Sequence, residues 1–127
     1  MRYLTTHEIL VMHKMVVDAT GGSHGVRDVG LLISASERPK GQFGGEELYR
    51  DVFVKAAVYL HALVLHHVFV DGNKRIAIIT AARFLFLNAY QLTATNKEIE
   101  RFVLSVITEK SEIETIAQWL KKHTKKV

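Results

Sequence analysis

The chain contains no cysteine and one proline, and no apolar run in it is long enough to cross a bilayer. Without cysteine there is no disulfide framework and no thiolate chemistry, which suits a reducing, cytoplasmic setting. The two longest apolar stretches are broken, the first by Lys55 and three histidines and the second by Arg83, so neither reads as a membrane span. The start, "MRYLTTHEIL", has no long apolar core of the kind a signal peptide carries. Acidic surplus is also missing. The net charge is +4, and much of the excess sits in the closing "KKHTKKV", leaving the rest close to balanced. A basic balance is compatible with nucleotides, nucleic acid or an acidic protein partner, but a solvated basic tail over residues 119–127, frayed at its end, explains it as well.

What is present fits one globular domain, 1–127, with a single core: 48% apolar and 24% charged residues over 127 positions. There is no repeat, low-complexity segment or linker. The punctuation is helical. Thr5-x-x-Glu8, Thr95-x-x-Glu98 and Ser111-x-x-Glu114 each match the capping box, in which a hydroxyl caps the helix and an acid three residues on reaches back. Apolar residues at helical spacing follow each one. A short helix is expected from Asp28 to about Glu37, ending before Pro39. "RPKGQFGGEE" reads as a loop or small hairpin. "DVFVKAAVYLHALVLHH" and "IAIITAARFLFL" are apolar almost all round, the mark of helices inside a bundle. The expected class is therefore all-α, about six helices around two central apolar ones, with a turn at Asp71–Asn73 joining those two.

That turn concentrates chemistry. A helix starting near Asn73 leaves its first amides without partners, and free amides at a helix start receive anions. Lys74 and Arg75 are poorly placed for the bare helix dipole, by a few tenths to about 1 kcal/mol each, and a bound phosphate would reverse that sign. Asp71 is a hard carboxylate of the kind that holds Mg²⁺ beside a polyphosphate. His67 can take a proton at neutral pH. A base, a metal ligand, an anion hole and cations within nine residues are the equipment for phosphoryl or nucleotidyl transfer to a hydroxyl. Blander readings stand beside this one. Asp71-Gly72-Asn73 makes an ordinary turn with Asp71 as N-cap, His66 or His67 packs between helices, and His61 belongs to the core. A zinc site from His66, His67 and Asp71 matches no standard spacing. The segment is not a P-loop, for it lacks the upstream glycine and the hydroxyl after the lysine.

"HVFVDGNKR", His67 to Arg75, resembles the signature of the Fic/Doc superfamily: His-x-Phe-x-Asp/Glu-Gly/Ala-Asn-Gly/Lys-Arg. "GVRDVGLL", "ERPKGQFGGEELY" and "FVKAAVYLHALVLHHVFVDGNKR" resemble its death-on-curing branch, over residues from about 3 to 122. The resemblance implies a compact Fic fold and a toxin held by a cognate antitoxin. It implies ATP and Mg²⁺ as cofactors, His67 as general base, Asp71 as the Mg²⁺ ligand, and Asn73, Lys74 and Arg75 as phosphate holders. Gly72 would allow close backbone approach, and Phe69 would point into the core. Lys40, Gly41, Gln42, Phe43 and Gly44 would belong to a flap that positions the target.

Lys74 stands where the adenylylating members of the superfamily have glycine. The death-on-curing branch shares that lysine and presents the γ-phosphate, so the implied reaction is phosphorylation of a threonine on elongation factor Tu, halting translation. AMP transfer is the alternative reaction, and a non-catalytic module that blocks translation by binding is the alternative class. A nuclease has little support, with one carboxylate near the turn. No Ser/Thr-x-x-x-Glu-Gly/Asn inhibitory motif is found in the chain, so inhibition is expected in trans.

Overall fold

A computed structural model describes all residues, 1–127. Six helices and two small sheets follow in the order α1 (Thr6–Thr20), α2 (Val29–Glu37), a 3₁₀ turn (Arg38–Lys40), β1 (Gln42–Phe43), β2 (Glu46–Glu47), α3 (Val52–Leu65), α4 (Asn73–Leu87), β3 (Tyr90–Leu92), α5 (Asn96–Glu109), α6 (Ile113–Lys122) and β4 (Thr124–Lys126). The mostly helical class and the number of helices are as the sequence implies. No helix is long and apolar enough to cross a membrane.

Helix α3 is the centre. Ten of its 14 residues are buried, including the unbroken run Lys55–Leu60, so it has to be enclosed on all sides. Asp51 starts it, its carboxylate accepting from the amides of Phe53 and Val54. Tyr59 is fully buried, and its hydroxyl exchanges hydrogen bonds with the backbone of Leu4, fastening the N-terminus to the core. Burial pushes that phenol up to about 12.

Helix α4 is one-sided despite its apolar composition. Ile76, Ala77, Thr80, Ala81, Phe84 and Leu85 form one buried stripe, while Ile79, Arg83 and Phe86 face solvent. α1 lies beside it, burying Ile9, His13, Val16 and Val17 at spacings of four, three and one.

Local capping explains most boundaries. The boxes at Thr5–Glu8 and Thr95–Glu98 both form, and Asp28 caps α2 through the amide of Leu31. Ser111–Glu114 does not form a box. α6 begins one residue later than that pattern requires, with Glu112 at the N-cap and no side-chain cap. The basic C-terminal run carries regular structure as well. Residues 113–122 are α6, whose apolar side packs on α3, and β4 pairs antiparallel with β3 in the register Tyr90 to Lys126 and Leu92 to Thr124.

Candidate active site

The turn between α3 and α4 is held from outside. α3 ends at Leu65. His66 caps it at φ −100°, and His67 follows at φ +47°, in the left-handed region where a non-glycine residue is uncommon. Such a conformation costs about 1–3 kcal/mol and persists only where neighbours hold it. Here the neighbours are residues 25–28. Val26 and Phe69 form an isolated antiparallel bridge, Val70 N–H donates to the Gly25 carbonyl, and the amides of Arg27 and Asp28 both donate to the Val68 carbonyl. The Arg27 guanidinium donates from Nε to the His67 carbonyl and from Nη2 to the His66 carbonyl at 2.8 Å.

Phe69 is buried and anchors the turn, as the resemblance implies. The His13 ring of α1 stacks on it, with centroids 3.7 Å apart and 7° between planes. His13 Nε2 lies 2.8 Å from the Asp71 carbonyl oxygen. A carbonyl only accepts, so that nitrogen carries the proton. The Asn73 side chain closes the turn, its oxygen accepting from the Phe69 amide and its Nδ2 donating to the Phe69 carbonyl, both at 2.9 Å. Both ends of the Asn73 amide group are thus engaged with the loop. What Asn73 can still offer an anion is its backbone N–H and the second N–H of Nδ2.

Gly72, at φ +77°, is the N-cap of α4, and no side chain caps the helix. This removes the reading of Asp71 as N-cap. The amides of Asn73, Lys74 and Arg75 have no acceptor in the chain, and the first turn contains no acid. It contains two exposed cations instead. Arg75 is not neutralised by a carboxylate. Its Nη1 donates to the Thr20 hydroxyl at 2.9 Å, and that hydroxyl donates on to the Val16 carbonyl. Clefts open on both sides of Arg75. One, of about 410 Å³, runs between α1 and α4 past Met12, Met15 and Ile79. The other, of about 280 Å³, lies between α4 and α5 and includes Lys74 and Glu100.

The Asp71 carboxylate is exposed but fixed. It accepts from the Ser23 amide at 3.2 Å and from the Gly72 amide at 2.9 Å. The Ser23 amide first and the Gly72 amide second, with Arg75 and His13 adding to them, hold its pKa below the usual carboxylate value. Gly22 makes the close approach possible, because a Cβ there would lie 2.7 Å from Asp71 Oδ2. A hard cation fits this donor set: one oriented, ionised carboxylate beside a row of unpaired amides that would receive the phosphates completing its shell. No group of three His, Cys, Asp or Glu gathers anywhere, which removes the zinc alternative of His66, His67 and Asp71. His61 is half-buried. Burial, then Arg38 and His66, push its pKa down, and its ring meets that of His66 edge-on, with centroids 6.1 Å apart.

Lys40, Gly41, Gln42, Phe43 and Gly44 fall in the hairpin and the 3₁₀ turn before it. Gly44 and Gly45 both have positive φ, the requirement of a two-residue hairpin turn. Phe43 is 81% exposed, so the strand presents an aromatic ring to solvent. The hairpin is rooted on Lys55, near the start of α3. This lysine is itself buried, with Nζ donating to the Pro39 carbonyl and to Glu47 Oε1, both at 3.1 Å. The eleven residues from Lys55 to His66 rise by roughly 16 Å, which separates the root of the hairpin from the turn. Arg27, His13 and Lys55 were not legible as site residues. His13 sits in an apolar helical pattern, and the partners of all three are distant in sequence or lie in loops.

A helical domain whose inner helices are joined by an anion-receptive, cation-flanked turn carrying a histidine and an ionised aspartate is suited to handling phosphates. This chain belongs to the Fic/DOC family, whose model matches residues 3–85. Among curated proteins it is 40% identical over 92 residues to "Toxin Doc" of Mycolicibacterium smegmatis, covering 72% of this chain and 68% of that one. It is 28% identical over 122 residues to "Protein kinase doc" of Escherichia phage P1, covering 96% and 95%.

Proposed function

We propose that the protein is the toxin of a toxin–antitoxin pair, and that it transfers a phosphoryl group from ATP to a hydroxyl of a translation factor in the cytoplasm, elongation factor Tu being the target. The observation that carries this reading is the start of α4: three unpaired amides, two cations and no acid, beside a carboxylate kept ionised by backbone donors. The two similar proteins named as a toxin and as a protein kinase support it.

In this mechanism His67 accepts the proton of the target threonine hydroxyl, and that oxygen forms a bond to the γ-phosphorus while the bond to the ADP oxygen breaks. The amides of residues 73–75 and the side chains of Lys74 and Arg75 receive phosphate oxygens. Asp71 holds Mg²⁺, which when bound neutralises phosphate charge and orients the nucleotide. Lys74 adds bulk and charge where adenylylating relatives have glycine, which favours presentation of the γ- rather than the α-phosphate. The hairpin around Phe43 takes the target segment. Its root lies at the far end of α3 from His67, so an extended segment of about five residues bridges the two. The cognate antitoxin supplies the inhibition.

The test uses elongation factor Tu and ATP labelled on the γ- or the α-phosphate. Label from the γ position alone is expected, and it should disappear with His67→Ala. Label from the α position alone would make the protein an AMP transferase. Toxicity that survives His67→Ala would make it a binding module.

A further inference from the structure

We propose that Arg27 is a positioning residue for His67, fixing the backbone from which the imidazole projects. The inference rests on the reading of His67 as the base. The carbonyl of His66 belongs to the peptide plane before the His67 Cα, and the carbonyl of His67 belongs to the plane after it. The orientations of those two planes are the φ and ψ of His67. Arg27 grips both, Nε on the second and Nη2 on the first. A planar guanidinium presents these donors at fixed spacing, so the pair of bonds sets an angle as well as a distance. The angle it sets is one His67 would not hold unaided, φ +47°.

The backbone that carries the grip is itself tied to the turn. The Arg27 amide donates to the Val68 carbonyl at 2.9 Å, and the next residue, Asp28, both donates to that carbonyl and caps α2. Arg27 makes no ion pair with any acid. Its side chain has the two carbonyls as its hydrogen-bond partners, and its charge sits at the C-terminal end of α3, where a cation is favoured. Lysine would keep the charge and lose the fork, which separates geometry from electrostatics.

The experiment compares Arg27→Lys and Arg27→Ala with the parent chain. In both variants the backbone bonds between residues 25–28 and 68–70 remain available, so the fold should persist. The ¹³Cα shift of His67, read by NMR without nucleotide, is expected to leave its left-handed value. In turnover, a drop in kcat of about tenfold or more is expected for both, with KM for ATP–Mg²⁺ within about twofold of the parent, since a small misplacement of a reacting group carries that cost. Low concentrations of free guanidinium should restore part of the Arg27→Ala rate. An unchanged His67 shift in Arg27→Lys, or a melting temperature that falls while kcat stays at the parent value, would overturn the proposal. If Arg27→Ala fails to fold, Arg27→Lys decides alone. A parent chain that transfers nothing from ATP would end the phosphotransfer reading, and the NMR shift would still decide the brace.

Discussion

The segments at the two ends of α3 are built on opposite plans. The turn after it, His66–Arg75, is tied by side chains and backbone from α1, from residues 22–28 and from α4 itself. Phe69 alone has its ring covered by His13 and both backbone groups taken by Asn73. The hairpin before it, residues 42–47, has two residue pairs, a Gly-Gly turn, and all six of its residues exposed. One buried side chain, Lys55, fastens it from below. Groups that must meet a reacting centre gain from being overdetermined, whereas a strand that receives a partner gains from an open edge. The comparison predicts that damage to the turn is global and chemical, and that damage to the hairpin is local.

The largest stability effect should come from Phe69→Ala. Deleting a buried phenylalanine costs about 3–5 kcal/mol, and here it also uncovers the His13 ring. Urea unfolding should show that loss. A cost below about 1 kcal/mol would mean that the turn is not built around this ring. Next comes a pair of glycines. Gly22→Ala meets Asp71 Oδ2 at 2.7 Å and sits at φ +108°, so strain of about 1–3 kcal/mol is joined by displacement of the carboxylate. Gly44→Ala has a positive φ as well but nothing within 4 Å. Mn²⁺ titration in the presence of ADP, followed by paramagnetic broadening, should weaken several-fold in the first variant and match the parent in the second. Equal behaviour of the two would remove the cradle around Asp71.

What the sequence disclosed follows the same division. Features written in neighbouring residues were legible. The boxes at Thr5 and Thr95 and the Asp28 cap need only local contacts to form, and the nine-residue turn is contiguous in the sequence although distant residues hold its shape. Ser111 misled because Glu112 and Ile113 allow the helix to start one residue later than the box requires. The strand in the tail was hidden because Thr124–Lys126 is polar, and the strand it pairs with lies more than thirty residues away. Helix α4 reads as apolar on all sides, yet nothing in its own letters says that α1 and α5 leave Ile79 and Phe86 uncovered. The candidate site divides likewise. His67, Asp71, Lys74 and Arg75 stand within nine residues of one another and are visible as a group in the sequence, while Arg27 and His13, which bond to the backbone of that turn, reach across separations of about 40 and 58 positions.

A smaller effect is expected at the root of the hairpin. Lys55→Met keeps the buried stem and removes the ammonium, so the Pro39 carbonyl loses a partner while Glu47, half exposed, finds water. The cost should be about 1 kcal/mol. Its mark should be local: the methyl signals of Leu48, which packs on Gly41, should shift, and those of Val70 beside Gly25 should not. Movement of both sets would mean that the two ends of α3 are coupled.

The smallest effect, and the cleanest separation, should come from pH. Asp71 has a folded-state pKa below its ordinary 3.8, because the ionised carboxylate accepts from Ser23 and Gly72. Its contribution is complete above pH 3.8 and is lost as pH falls through the folded value. Lys55 is the reverse. Burial alone would push its pKa down, but Tyr3 and Glu47 more than offset that and raise it above 10.5. Its contribution is complete below pH 10.5 and is lost as pH rises through the folded value. The turn should therefore loosen only at the acid end and the hairpin only at the alkaline end. Val70 methyl shifts should titrate below pH 4 and vanish as a titration in Asp71→Asn, while Leu48 shifts should titrate above pH 10 and do so no longer in Lys55→Met. A single transition moving both methyl groups together at either end would show that one cooperative unit holds the two segments, and the contrast between a braced turn and a lightly rooted hairpin would fall.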